Sequence, residues 1–363
     1  MTRGVSRRAG GRAGLERRLR WLLLSACLVT GVSFAAESAP EVKPPAPDTA
    51  AADAADAPPG SPRMTLDELL AAFGWSFDET VIRAQKVADG LYVFFGVGGN
   101  IVASIGPQGT LLVDNQFPQL MPKIEAALRN LGGDGAVDFA INSHWHFDHA
   151  EGNLDLGPKG TWIVAQERSR ERMTRDNVVN LVGMTYNQKA YPENARPHIT
   201  YRDQMRFEFN GETLNLWHFG PAHTTGDTAV YFENANVVHM GDVFNAGYPF
   251  IDVDSGGDVD GVISFCEAVL LRINDDTKVV PGHGPVLTRE ALAAYIDMLR
   301  TVRNRIAQLI EQDASFAKVV TSKPTAEFDE RYGADPTMLI DRVYASLMRL
   351  KRQALAPLME STE

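Results

Sequence analysis

"SHWHFDH", residues 143–149, places three histidines and an aspartate within seven positions, with Trp145 and Phe147 between them. In an extended stretch residues two apart point the same way, so His144 and His146 can chelate one ion together. Asp148 and His149 continue the loop and can face a second ion. The aromatic neighbours then point away into apolar packing, which holds the ligands rigid and keeps the site dry. A lone histidine on an apolar face is ordinarily a hydrogen-bonded core residue. Three of them with an aspartate in six residues are too much ligating chemistry for that reading.

The surrounding sequence reads as a frame for this loop. "AVDFAINS", just upstream, is a buried strand that delivers it at its carboxyl end. Further back, "GLYVFFGVGGNIVASIGPQGTLLVDNQF" is β-branched and aromatic, punctuated by Gly-Gly-Asn and Pro-Gln-Gly, the pattern of consecutive antiparallel strands. "QLMPKIEAALRNL" is an amphipathic helix, and Thr65 followed by Glu68 in "TLDELLAAFG" is a capping box opening a short one. Downstream, "TWIVAQE" reads as a strand, and residues 168–200 are charged and irregular, an insertion whose functional reading is a lid. "QMRFEFNGETLNLWHF" reads as a hairpin turning at Asn210-Gly211, and "TAVYFENANVVHMGD" as another turning near Asn234–Asn236. A long helix begins at the N-cap Thr288. Two stacked sheets with helices on their outer faces satisfy this order.

Three more segments each set a candidate ligand beside small turn residues at the end of a strand-like run. They are "GPAHTTGD" with His223, "VVHMGDVF" with Asp242 and "VVPGHGP" with His283. With these residues assembled, the chain resembles the metallo-β-lactamase superfamily. The resemblance implies an α+β, αββα four-layer sandwich over about residues 64–310 with a metal site at one edge. It assigns His144, His146 and His223 to a first metal and Asp148, His149 and His283 to a second, with Asp242 bridging them and Asp114 supporting the site from below by hydrogen bonding. His198, His218 and His239 are left over. The last two sit in strand-like runs and read as packed core residues, and His198 lies in the insertion.

Imidazole and carboxylate ligands suit zinc, so two zinc ions per chain are expected, with iron as the alternative. A water held between two ions has its pKa lowered from about 15.7 to around 7, and Asp148, the expected catalytic residue, would orient the resulting hydroxide and shuttle its proton. The reaction this implies is hydrolysis of an amide, ester, lactone or thioester, with a non-catalytic metal-binding module and redox chemistry as the rivals. Flavodiiron proteins resemble this pattern but carry a carboxylate where this chain has His146. Persulfide-oxidising relatives use a single iron and do not need the set that His149, Asp242 and His283 complete.

Zinc β-lactamases of the cysteine type place Cys at the position of Asp242 and Lys at that of Asn245, so the bridging Asp looks more like hydroxyacylglutathione hydrolases and lactonases. β-Lactams stay among the candidate substrates, within a class of small neutral or cationic carbonyl compounds. The stretch after the bridge, "GDVFNAGYPFIDVDSGGDVDG", reads as a loop beside the metals whose Phe244, Tyr248 and Phe250 line a substrate pocket or pack beneath it.

The ends of the chain set its compartment. "RRAGGRAGLERRLR" leads into "WLLLSACLVTGVSFAA", an apolar run of about sixteen residues, short of the roughly 20 that span a membrane, so residues 1–36 read as an export signal. A membrane anchor is the alternative, as is a lipid on Cys27 in "LSAC", which alone would bring a membrane partner. Residues 37–63, "ESAPEVKPPAPDTAAADAADAPPGSPR", read as a disordered Pro- and Ala-rich tether. The segment through Ala36 holds seven Lys or Arg and one acidic residue, so its removal leaves 28 basic against 45 acidic residues, a net charge of −17. That excludes nucleic acid as the expected partner. It also leaves Cys266 as the only cysteine, a small buried hydrophobe with no disulfide partner. A periplasmic or secreted enzyme is the expectation, with residues 311–363 as a helical extension packed on the domain.

Overall fold

A computed structural model of the chain describes residues 63–360. The export signal and all of the tether except Arg63 lie outside them. Arg63 opens a two-residue strand, Arg63–Met64, and Thr65 then caps helix Leu66–Phe73 with the reciprocal Glu68 bond that the sequence pattern requires.

Two sheets carry the architecture. The larger runs, edge to edge, through Ile199–Tyr201, Trp162–Gln166, Phe139–Ile141, Gly109–Val113, Ile101–Gly106, Leu91–Phe95 and Arg83–Ala88, parallel over the first four strands and antiparallel over the rest. The smaller runs through Gln204–Phe209, Glu212–Trp217, Ala229–Phe232, Val237–His239, Lys278–Val280 and Leu287–Thr288. Its first hairpin turns at Asn210-Gly211, with φ of 55° and 76°, which is what a two-residue connection between right-twisted strands demands.

Side-chain alternation along these strands builds the layers. Leu111 and Val113 face the second sheet, where they meet Leu214, Leu216, Val230, Phe232 and Val280. Leu112, between them, faces the opposite way and packs with Met121, Ile124 and Leu128 of helix Met121–Asn130. In the second sheet Val237 and Val280 face inward, while Val238 and Val279 face helices Val259–Leu270 and Arg289–Glu311. Strands buried on both faces explain why the sequence shows continuous apolar runs there rather than alternation. The result is an αββα sandwich.

One expectation needs correction. Residues 168–200 are ordered: helix Glu167–Met173, capped by Gln166, is followed by an antiparallel hairpin of Asn177–Asn180 and Thr185–Gln188, to which Arg63–Met64 adds a parallel third strand. Each strand of the hairpin is four residues long, too short for its alternation to stand out against the charged helix before it. Beyond helix Arg289–Glu311 the chain continues in further helices that pack on the sandwich. Leu339, Ile340, Val343 and Leu347 of helix Thr337–Glu360 share one buried cluster with Val262, Leu292 and Leu299.

The metal edge follows from this topology. Strands Gly109–Val113 and Phe139–Ile141 are parallel, as are Val237–His239 and Lys278–Val280. Asp114, the histidine loop, Asp242 and His283 therefore emerge from carboxyl ends, and His223 follows Glu212–Trp217 in the same sense. Because the last long helix completes the outer layer, Leu339→Ala should cost about 2–5 kcal/mol in chemical denaturation, the range for a truncated core leucine. A loss below roughly 0.5 kcal/mol, as at an ordinary surface position, would make that helix an appendage.

Candidate metal centre

His146 ends the extended part of the loop as the N-cap of a single helical turn, Phe147–Ala150. Asp148 and His149 thus lie on a helical turn rather than on continued loop, and the turn swings both toward the site. Trp145 is fully buried in the apolar cluster behind the loop. Phe147 packs in that cluster too, yet one side of it also lines the cavity over the site.

The seven candidate ligands come together in three overlapping groups. His144, His146 and His223 form one, Asp148, His149 and His283 another, and His144, His149 and Asp242 link them, with ligand atoms inside each group within 4.8 Å of one another. Asp242 lies between the outer groups: its Oδ2 is 3.8 Å from His223 Nε2, and its Oδ1 is 3.1 Å from His149 Nε2 and 3.4 Å from His283 Nε2. Asp148 Oδ2 approaches His283 Nε2 at 3.2 Å.

Three of the five rings are oriented from their far side. His223 Nδ1–H donates to the Phe250 carbonyl at 2.8 Å, His146 Nε2–H to Asp252 Oδ2 at 3.0 Å, and His149 Nδ1–H to Asp114 Oδ2 at 2.8 Å. With these bonds made by one nitrogen of each ring, the opposite nitrogen is the one left to a metal in the interior. His223 Nε2 then faces His146 Nδ1 at 2.9 Å, and His149 Nε2 faces His283 Nε2 at 3.2 Å. Ring nitrogens so close need a proton or a metal cation between them. Nitrogens bound tetrahedrally to one zinc at about 2.05 Å would stand roughly 3.3 Å apart, close to what is seen. His144 Nε2 and Asp242 Oδ1 are buried without a hydrogen-bond partner, as waiting ligand atoms would be. The donor set therefore fits metal binding.

Charge divides the site. Burial, then the neighbouring rings of His149 and His223, pushes His144 well below the usual imidazole range, and burial with His146 lowers His223. Burial also opposes charge on His149 and His283, but carboxylates led by Asp242 outweigh it, holding His149 well above its ordinary value and His283 up at about 10. Burial likewise works against charge on Asp242, yet His283 and His149 keep its carboxyl well below the usual range.

Asp114 sits beneath the site with φ of 61°, a left-handed conformation that Asp tolerates better than most residues. Its carboxylate accepts from the Ser143 amide and hydroxyl, both at 2.7 Å, besides His149. His239 is a packed core residue donating Nε2–H to the Asn100 carbonyl at 3.1 Å. His218, half-buried, donates from Nδ1 to the Asp227 carbonyl at 2.8 Å. His198 is exposed against Trp162, their ring centres 6.0 Å apart. Of the three aromatics after the bridge, Tyr248 and Phe250 line the cavity, whereas Phe244 is buried edge-on against Tyr295 in the core.

Sequence reasoning passed over Asp252, fully buried and aimed at His146. An acidic residue in a Gly- and Asp-rich loop looks like solvated surface, and only the fold shows what it faces. It also passed over Gly99 and Gly282, where an added Cβ would meet His149 Cε1 at 2.1 Å and Asp242 Oδ1 at 2.0 Å. Asn100 binds the two glycine segments together: its amide nitrogen donates to the Pro281 and Gly284 carbonyls at 2.9 and 2.8 Å, and its backbone N–H to Gly282 at 2.7 Å. The Gly-Gly-Asn triplet was a signal for that contact, though it reads equally well as a turn.

Comparison with known proteins agrees with this geometry. A family model described as metallo-beta-lactamase superfamily matches residues 100–285, just over half of the chain. Over 153 residues the chain is 28% identical to "Probable metallo-hydrolase YqgX" of Bacillus subtilis, covering 41% of this chain and 70% of that protein. It is 24% identical over 166 residues to the 2,4-dinitroanisole O-demethylase subunit alpha of a Nocardioides species, covering 46% of this chain and 45% of the subunit. The chain thus spans less than half the length of that relative. Among solved structures, the inverting sec-alkylsulfatase Pisa1 of a Pseudomonas species superposes with a TM-score of 0.57 at 16% identity, covering 72% of this chain and 50% of the other, a likeness of fold alone.

The charge division predicts how metal loading responds to pH. An ion bound by Asp148, His149 and His283 must displace protons that these histidines hold to high pH, so its loading falls as pH falls. His144 and His223 are already neutral near pH 7. Metal analysis after dialysis from pH 8 to pH 5 should show one equivalent lost early and the other retained, and loss of both together would contradict the division. Asp252→Ala should weaken metal affinity by about 10–100-fold by freeing the His146 ring, read by chelator competition.

Proposed function

The chain belongs to the metallo-β-lactamase superfamily, and from that premise we propose that it is an exported dizinc hydrolase of a small carbonyl compound, cleaving an amide, ester, lactone or thioester bond. The observation that carries the reading is Asp242, whose two carboxylate oxygens face different groups of ligands. A structural zinc site is closed by four ligands, whereas seven donors divided between two groups leave room for water and substrate.

His144, His146 and His223 would hold one ion and Asp148, His149 and His283 the other, with Asp242 shared. Bound there, such ions would acidify water to near-neutral pKa and polarise a carbonyl. The protein's own contribution is position and proton handling. Asp252, Asp114 and the Phe250 carbonyl fix three rings, and the buried loop keeps bulk water from behind them. Asp148, about one-tenth exposed at the cavity floor, is placed to orient the attacking water and take its proton.

Zinc is preferred because every donor is an imidazole or a carboxylate. Export rests on the basic and apolar run within residues 1–36, and a partner other than nucleic acid on the acidic balance of the remaining chain.

Purified protein should carry close to two zinc per chain and hydrolyse one class among a β-lactam, a lactone and a thioester, with activity lost on chelation and restored by zinc. Iron in place of zinc with no hydrolysis of any of them would overturn the assignment. Asp148→Ala should lower turnover by at least about 100-fold, the lower range for losing a positioned acid–base group, with the melting temperature little changed. Full activity in that variant would remove Asp148 from the mechanism.

A further inference from the structure

Two recesses open beside the candidate metal centre, and they differ in chemistry. One, a cavity of about 270 Å³ that reaches Asp148 and Asp242, is walled chiefly by Phe73, Phe147, Leu181, Tyr248, Phe250 and Met338. No lysine or arginine lines it. Apart from Phe147 on the histidine turn, its apolar walls come from segments that the metal ligands do not require: the first helix, the hairpin of the 168–200 segment, the loop after Asp242 and the last long helix. The other recess, of about 460 Å³, is lined by Arg83, Gln85, Asn100 and the glycine segments on either side of the site. Trp75 and His283 line both, so the two meet at the metal edge.

Arg83 is the only lysine or arginine in either lining. It is exposed at the start of strand Arg83–Ala88, with its guanidinium 5.5 Å from the centre of the Phe95 ring. No carboxylate among the described residues pairs with it, as with Arg272 and Arg331, which also lie over aromatic rings, whereas most arginines of the smaller sheet and its helices have such partners. An arginine held over an aromatic face keeps its planar fork free for a carboxylate or phosphate.

Resting on the hydrolase reading above, we propose that the substrate is amphipathic: an apolar acyl group in the aromatic cavity, the scissile carbonyl at His283, and an anionic group on the leaving side held by Arg83. This replaces the sequence expectation of a neutral or cationic substrate. The acyl side follows from area, since apolar walls gain only by covering apolar atoms. The anionic side follows from Arg83, which faces a recess that also holds the amides of Gln85 and Asn100 and has no carboxylate in its lining.

The test uses the full zinc-loaded chain and two hexanoyl esters of matched size, those of 4-hydroxybenzoate and 4-hydroxybenzamide. The benzoate ester should have the higher kcat/KM, and Arg83→Gln should lower the ratio of the two by about two- to fivefold, what an exposed ion pair supplies. Arg83→Lys should restore part of that ratio. Hexanoyl esters should exceed acetyl esters by roughly fourfold per methylene buried, and Leu181→Ala should narrow that gap. Binding of the uncleavable ethers 4-(hexyloxy)benzoate and 4-(hexyloxy)benzamide, measured by calorimetry, separates the two claims. If both ethers bind with the expected preference and neither ester is cleaved, the hydrolase reading fails. If the benzoate ether has no advantage, or keeps all of it in Arg83→Gln, the amphipathic substrate is overturned whether or not the esters are cleaved.

Discussion

The buried carboxylate of Asp114 is the interaction on which the metal edge depends. It lies at the end of one strand, accepts two bonds from Ser143 at the end of the next, and reaches His149 on the helical turn. One side chain thus ties two parallel strands to a ligand ring. Hydrogen bonds to a buried charge are worth about 1.5–3 kcal/mol each, enough to hold the backbone of Asp114 in its left-handed conformation. The carboxylate is sealed from water, and its charge is answered only by donors that also position the site.

The second sheet is brought to the same edge by Asn100. Its bonds to the Pro281 and Gly284 carbonyls, with the backbone bond to Gly282, join the Gly-Gly-Asn segment of one sheet to the Pro-Gly-His-Gly segment of the other. His239, packed beneath, donates to the Asn100 carbonyl and so buttresses the joint. The glycines matter at this joint because the ligands pass against their backbones. Gly99 and Gly282 leave the space that the His149 ring and the Asp242 carboxylate fill. The inter-sheet core sets where the two sheets lie, and these polar contacts set how closely their edges meet.

The segments outside the sandwich decide what can reach the centre. Arg63–Met64 and the hairpin of the 168–200 segment form a small sheet of their own, and Val179 and Leu181 bring it over the cavity. Met338, in the last long helix, reaches the same cavity from the other side. Tyr248 is held by a 2.8 Å bond to Asp329, which couples the loop after Asp242 to the helical layer. A family shared with proteins of different named reactions is consistent with this division between a common edge and its particular surroundings.

The sequence by itself determined the class of fold and the seven residues that gather at its edge. Apolar and β-branched runs, the Asn-Gly turn and the N-cap threonines act locally, and "SHWHFDH" declares its chemistry because metal ligands must be crowded to chelate. Tertiary structure decided the rest. Asp252 faces His146 across 106 positions of chain, Asn100 reaches Pro281 across 181, and neither separation leaves a periodic trace. The short strands of residues 177–188 are ordered by what they cover rather than by their own propensity. Phe244 and Phe250, alike in sequence, part between core and cavity because the fold gives only one of them a neighbour in Tyr295. Local patterns survive in sequence because they repeat at fixed spacing, whereas a contact between distant segments exists only once both sheets have closed on the same edge.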